Sequence, residues 1–240
     1  MNKMNAEVDI KASSTIVILG KRNTGKSCMG KFVLNRLVAQ GKVHIAYLFS
    51  TTETLSHSFD CLPPAFVIGG LNMKFIQRVL DSQMKAIRSK KLGKDDPSIK
   101  KLLFIFDDLL GSVRQGSAEQ QLLDRLFCCS RHSNIGLMLL AQSARGLFSP
   151  TLRNNVDYLM VRQLNDNQLP SIYETVYYPG TYREFVRFYK EATEADPYAF
   201  LIYDNLTREN QRFFLMTAEH PCVFKIEIKA PKKDNRIKHK

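Results

Sequence analysis

Thr15-Ile16-Val17-Ile18-Leu19 leads without a break into Gly20-Lys21-Arg22-Asn23-Thr24-Gly25-Lys26-Ser27. The first five residues are β-branched or apolar and predict a buried strand. The next eight satisfy G-x-x-x-x-G-K-[ST] at every fixed position. Beyond them Cys28, Phe32, Val33, Leu37 and Val38 recur at helical spacing, and Gly41 supplies a stop. Glycines allow a tight loop whose backbone N–H groups converge on phosphate oxygens. The helix that follows turns its positive end toward the same anion. Lys26 is expected to reach the β- and γ-phosphates, and the Ser27 hydroxyl to ligate Mg²⁺. The segment from Gly20 through Ser27 to Cys28 therefore reads as the binding site for ATP or another nucleoside triphosphate with Mg²⁺.

Outward from this loop, strand-like apolar runs alternate with helix-like ones, the pattern of an α/β fold. A second strand is predicted from Val43 to Phe49, a loop from Ser50 to Ser58, and a short extra strand at Phe66-Val67-Ile68. Asn72 caps a predicted helix with the stripe Phe75, Ile76, Val79, Leu80 and Ile87; Gly93 to Pro97 then breaks the chain. Leu102 to Phe106 is fully apolar, as a buried parallel strand should be. A helix is expected over Ala118 to Cys129, and strands over Ile135 to Ala141 and Val156 to Val161. Further on, Thr181 and Glu184 form a capping box that opens a helix carrying Tyr182, Phe185, Val186 and Tyr189. Two β-rich segments follow, Tyr198 to Tyr203 and Cys222 to Ile228. These boundaries give an N-terminal extension at 1–14 and one nucleotide-binding domain at 15–228. Its core spans 15–163 and an α+β extension 164–228, with a basic tail at 229–240 that is expected to be mobile.

Three further features carry chemistry. Leu102-Leu103-Phe104-Ile105-Phe106-Asp107-Asp108 is an apolar strand ending in acid, the Walker B pattern. Asp107 is expected to hold the hydration shell of Mg²⁺ and Asp108 to orient or polarise the attacking water. Aspartate is one methylene shorter than the glutamate many such ATPases carry there, so Asp107 is the firmer assignment. Gln142 ends the strand Ile135 to Ala141; if that strand lies between the other two, it faces the γ-phosphate. Arg131, Arg145 and Arg153 are candidates for a guanidinium at the γ-phosphate, and Arg22 either touches phosphate or is solvated.

The 240 residues are 44% hydrophobic and 24% charged, enough for one large domain with a sizeable core. A net charge of +12 favours a polyanionic partner, most often nucleic acid; a contribution to solubility is the alternative. Lys85, Arg88, Lys90, Lys91, Lys94, Lys100 and Lys101 cluster around the Gly93 loop, and the tail adds six more lysines and arginines. Either cluster suits DNA phosphates or plain solvation. No apolar run reaches the roughly 18 residues a membrane span needs, and no signal-peptide stretch opens the chain, so neither membrane insertion nor secretion is expected. Cys28, Cys61, Cys128, Cys129 and Cys222 lack metal-site spacing and read as reduced thiols.

The order of these pieces resembles the genome-packaging ATPases of large DNA viruses, the poxvirus type, within the FtsK–HerA superfamily. The resemblance rests on Gly20 to Ser27, Leu102 to Leu110 and Ser130 to Leu147, where Arg131-His132, an apolar strand and Gln142 form the most specific element. Thr151 to Val161 is similar as well. The resemblance implies a RecA-like P-loop NTPase fold with a mostly parallel sheet, the Gln142 strand separating the Walker B strand from the P-loop strand. It implies a homo-oligomeric ring, hexamer or pentamer, around double-stranded DNA, with Arg131 acting in trans on the neighbour's site. It further implies ATP-driven translocation of a viral genome into a capsid, contact with capsid vertex proteins, and a place in the host cytoplasm and the virion. A cellular or plasmid DNA pump, a small nucleotide kinase and a nucleotide-binding capsid component are the competing readings. The long gap from Lys26 to Asp107 and the Gln142 strand argue against the kinase.

Overall fold

Strands that are apolar on both faces need a covering layer on each side, and the computed structural model provides both. It describes residues 3–5, 9–89, 96–109, 113–114, 116–143, 149–194, 196, 198–207, 212–218 and 223–226. The strands are β1 (Lys3–Asn5), β2 (Thr15–Gly20), β3 (Ile45–Ser50), β4 (Val67–Gly69), β5 (Leu102–Asp107), β6 (Ile135–Ala141), β7 (Tyr158–Arg162), β8 (Ala199–Asp204), β9 (Phe213–Thr217) and β10 (Val223–Ile226). The helices are α1 (Lys26–Ala39), α2 (Glu53–Ser56), α3 (Met73–Ser89), α4 (Ala118–Cys129), α5 (Pro150–Asn155), α6 (Leu169–Thr175) and α7 (Tyr182–Glu194).

Among the described residues, ten strands form one sheet in the order β1-β10-β9-β8-β7-β2-β6-β5-β3-β4. It is parallel from β7 through β4, and β8, β9, β10 and β1 extend it antiparallel. β6 separates β2 from β5, as expected for this fold. Alternation along each strand sorts its residues to two sides. Ile16, Ile18, Leu103, Ile105, Met138 and Leu140 pack against Met29, Val33 and Leu37 of α1. Val17, Leu19, Phe104, Phe106, Leu137 and Leu139 pack against buried residues of α3, α4, α6 and α7. β8 is enclosed in the same way, with Phe200 and Ile202 on the α1 side and Leu201 and Tyr203 on the other.

Several boundaries shift. β3 begins at Ile45 rather than Val43. β7 begins at Tyr158 rather than Val156 because α5 runs to Asn155 and the Asp157 N–H still binds the Thr15 carbonyl. The stretch read as a loop at Ser50 to Ser58 contains α2, and β9 and α6 were not expected. Part of the expected N-terminal extension is an edge strand, β1, paired with β10. The capping box is present: the Thr181 N–H donates to Glu184 at 2.7 Å and the Glu184 N–H to the Thr181 hydroxyl at 3.3 Å. Among the described residues no helix is long and apolar enough to cross a membrane. The basic tail lies outside the described residues.

Candidate active site

The loop after β2 is held by its own carbonyls. The Thr24 hydroxyl donates to the Lys21 carbonyl at 2.8 Å, Lys26 Nζ donates to the same oxygen at 2.9 Å, and Arg162 Nη1 donates to the Thr24 carbonyl at 2.6 Å. Asn23 (φ 61°) and Gly25 (φ 82°) take left-handed backbone that turns the chain from strand to helix. Gly20 leaves no room for a side chain: a Cβ there would lie 2.4 Å from Thr24 Oγ1 and 3.0 Å from the Arg162 carbonyl.

The start of α1 departs from helix rules. Asn72, Ser117, Ser149 and Thr181 each accept a bond from the first turn of α3, α4, α5 and α7. At α1 the N-cap is Gly25, no side chain caps the helix, and the first turn holds Lys26 and no acid. A lysine at a helix N-terminus opposes the macrodipole, and the N–H donors there lack side-chain acceptors. Both departures suit an anion seated at this end. Burial pushes the Lys26 ammonium below its ordinary pKa, against the opposing pull of Asp108 and Asp107. Ser27 and Cys28 follow in the first turn, Ser27 half-buried and Cys28 an exposed free thiol. Lys21, Arg22 and Asn23 are exposed on the loop.

The acidic side of the site stands at the same sheet edge. Asp107 ends β5, and Asp108 turns out of the strand with φ 56°, its N–H donating to the Leu140 carbonyl of β6 at 3.0 Å. Gln142, just past β6, donates from Nε2 to Asp108 Oδ2. The loop, the two aspartates and Gln142 thus gather at the carboxyl ends of three adjacent parallel strands, where ligands of open α/β sheets bind. Burial, then the Asp108 and Glu53 carboxylates, push Asp107 up to about 6, opposed by Lys26 and a hydrogen bond from Ser50.

Glu53 was not anticipated. It is buried in α2, accepts the Phe59 N–H at 2.6 Å and the Ser56 hydroxyl at 3.3 Å, and adds a third carboxylate near Asp107. Its signal was a lone acid in a polar stretch, indistinguishable from solvated loop. Arg162 was also missed; a cation ending an otherwise apolar strand beside β2 was the available cue.

Arg131 does not join this group. It lies in a 3-10 turn, Ser130–Ser133, ahead of β6, and pairs with Asp157, which precedes β7 and accepts the Thr15 N–H at 2.9 Å. Those are the amino-terminal ends of the strands. Six residues of strand separate them from the loop by about 20 Å. Arg153 of α5 pairs with Glu174 at 3.2 Å. Arg145, Lys90, Lys91 and Lys94 lie outside the described residues. Cys61, Cys128 and Cys129 are free thiols, and Cys222 is outside the described residues.

Over 226 residues the chain is 26% identical to the uncharacterized protein 075L of Invertebrate iridescent virus 6, covering 93% of this chain and 80% of that protein. The genome packaging NTPase B204 of Sulfolobus turreted icosahedral virus 2, in complex with AMPPCP, superposes with a TM-score of 0.56 at 16% identity, over 90% of this chain and 99% of that one. EssC (ATPases 2 and 3) of Geobacillus thermodenitrificans gives a TM-score of 0.59 at 14% identity, over 93% of this chain and 41% of that one. A family model described as Poxvirus A32 protein matches residues 1–229, and the chain belongs to that family.

Proposed function

We propose that this protein is an ATPase that drives double-stranded viral DNA into a capsid as part of a homo-oligomeric ring. The observation that carries the reading is the meeting of the uncapped start of α1 with the Asp108–Gln142 pair across β2, β6 and β5. Family membership and the likeness in fold to a genome packaging NTPase in complex with ATP-gammaS and with AMPPCP support it.

The loop from Gly20 to Ser27 wraps the β- and γ-phosphates with backbone N–H groups, and Lys26 adds a charge among them. Among the described residues no three acidic, His or Cys side chains gather to bind a metal by themselves. The donors fit a cation that would take most of its ligands from triphosphate and water, with the Ser27 hydroxyl as a further ligand and the Asp107 carboxylate holding its bound water. The carboxylate crowding at Asp107 and Glu53 suits a positive charge there. Mg²⁺ supplies neutralisation of the charge that develops on the phosphoryl oxygens. Asp108 accepts a proton from the attacking water as the water oxygen bonds to the γ-phosphorus; ADP leaves with the electrons of the broken P–O bond. Gln142 holds the Asp108 carboxylate and is placed to sense whether a γ-phosphate is present.

Arg131 cannot serve its own loop from about 20 Å away. It can serve a neighbour's, which makes the ring a requirement for full activity. The net charge of +12 supports contact with DNA phosphates, as a motor that must pass any sequence requires. Capsid vertex proteins are the further partners, and the host cytoplasm and the virion the places of action.

The test is ATP hydrolysis with and without double-stranded DNA of arbitrary sequence. Stimulation that fades with rising salt is the expected outcome. Transfer of phosphate to a nucleoside monophosphate with no response to DNA would sink the motor and favour a kinase.

A further inference from the structure

A cleft of about 460 Å³ opens directly off the phosphate loop. That volume lies within the roughly 300–1,000 Å³ typical of small-molecule sites. Asn23, Thr24 and Gly25 close one end. One wall is the face of α1 carrying Cys28, Phe32 and Asn35, spaced four and three residues apart so that they line up. The other wall comes from the sheet itself: Arg162 at the end of β7 and Phe200 in β8, with Tyr198 just ahead of β8.

Arg162 organises that wall. The residue is 8% exposed, and its guanidinium sits 5.5 Å from the Tyr198 ring centroid and 5.6 Å from that of Phe200. The same group donates to the Thr24 carbonyl of the loop. The aromatic wall and the phosphate cradle are thereby tied through one residue. Arg162 Nε is buried without a hydrogen-bond partner, so stacking on the rings takes the place of a full set of polar contacts. Tyr198 is nevertheless 56% exposed, an aromatic ring held against a cation on one side and open on the other. Among the described residues none of the lining side chains is acidic.

We infer that this cleft is the nucleobase site and that the Tyr198 ring is the surface on which the base stacks. The inference rests on the reading of the loop as a triphosphate site. A nucleotide with its phosphates on the loop leads its sugar and base away from Lys26, and the cleft is the adjoining space. A flat aromatic heterocycle gains there from a ring whose orientation Arg162 already fixes. Stacking is tolerant of base identity because every base has a π-face. The polar side chains at the cleft's margin include the amides of Asn23 and Asn35 and the ammonium of Lys31, which is paired with Asp60, so stacking is the contact the aromatic wall contributes.

Calorimetric titration of the full chain with Mg-ATP and, separately, with Mg-tripolyphosphate tests this. Tripolyphosphate keeps the phosphate contacts and has no base. Tyr198→Ala is expected to weaken ATP binding about tenfold, in the range set by loss of one base–aromatic stack, and to leave tripolyphosphate binding unchanged. Tyr198→Phe, which keeps the ring, should bind both ligands like the wild type. Wild-type ATP affinity in Tyr198→Ala would overturn the inference, as would equal loss of both ligands. Lys26→Ala measured alongside separates the two readings. Tripolyphosphate binding lost in Lys26→Ala, with ATP binding unaffected by Tyr198→Ala, leaves the triphosphate site standing and removes only the base site. A wild-type protein that binds neither ligand removes both.

Discussion

Arg131→Ala should cost stability as well as any activity in trans, and the structure sets the size of that cost. Asp157 is 3% exposed and, among the described residues, keeps the Thr15 N–H as its other strong partner once Arg131 is gone. Removing one member of a fully buried pair typically costs about 3–5 kcal/mol. The Arg131 side chain is 52% exposed, so water already screens it and the lost interaction is weaker. About 1–2 kcal/mol is the resulting expectation, or roughly 2–8 °C in melting temperature for a domain of this size. The pH dependence gives the sign. Burial pushes Asp157 above the usual carboxylate range even with Arg131 beside it, and without Arg131 it rises further. The variant's deficit is therefore present at neutral pH and shrinks as acid protonates Asp157. Thermal melts of wild type and Arg131→Ala across pH 4.5 to 7.5, with Lys190→Ala as an exposed-pair control expected to be nearly neutral, would measure it. Identical melting temperatures at neutral pH would refute the pairing. The result also decides how mixing experiments are read. If Arg131→Ala subunits melt normally at the assay temperature, regained activity on mixing with Asp108→Asn subunits reports a trans arginine; no recovery at any ratio counts against one.

Other variants probe the site directly. Lys26→Ala should abolish ATP turnover with little change in melting temperature, since its internal bond is to one loop carbonyl; unchanged turnover would remove the site assignment. Asp108→Asn should lower turnover by about 10²–10⁴-fold while ATP affinity stays near wild type, the signature of a proton acceptor. Gln142→Ala should lower turnover with a smaller loss, and normal turnover would mean the Asp108 contact is only local packing. Gly20→Ala should weaken ATP binding at least tenfold because the new methyl displaces Thr24 from the Lys21 carbonyl; wild-type affinity would show that the loop relaxes without penalty.

Much of the architecture was legible because the central strands are buried on both faces. Leu102 to Phe106 and Ile135 to Ala141 stand out as unbroken apolar runs, and their observed limits fall within one residue of the expected ones. The capping box of α7 and the Asn72 cap of α3 were readable for a local reason: the bonds that make them span three residues. β9 and α6 were not read. Phe213 to Thr217 is apolar, but short runs after residue 164 carry no motif to order them, and their place depends on antiparallel pairing with β8 and β10.

The sequence alone determined the phosphate loop, the acid at the end of β5 and the glutamine after β6. Each is a contiguous pattern whose chemistry follows from backbone geometry and residue type. Only the tertiary structure decided that Gln142 touches Asp108, that Glu53 crowds Asp107, and that Arg162 reaches across 138 residues to hold the loop. It also put Arg131 at the amino-terminal ends of the central strands, paired with Asp157. These relations depend on strand order and on which face of the sheet each element covers. Hydrophobic periodicity reports which residues are buried and leaves open which strands become neighbours.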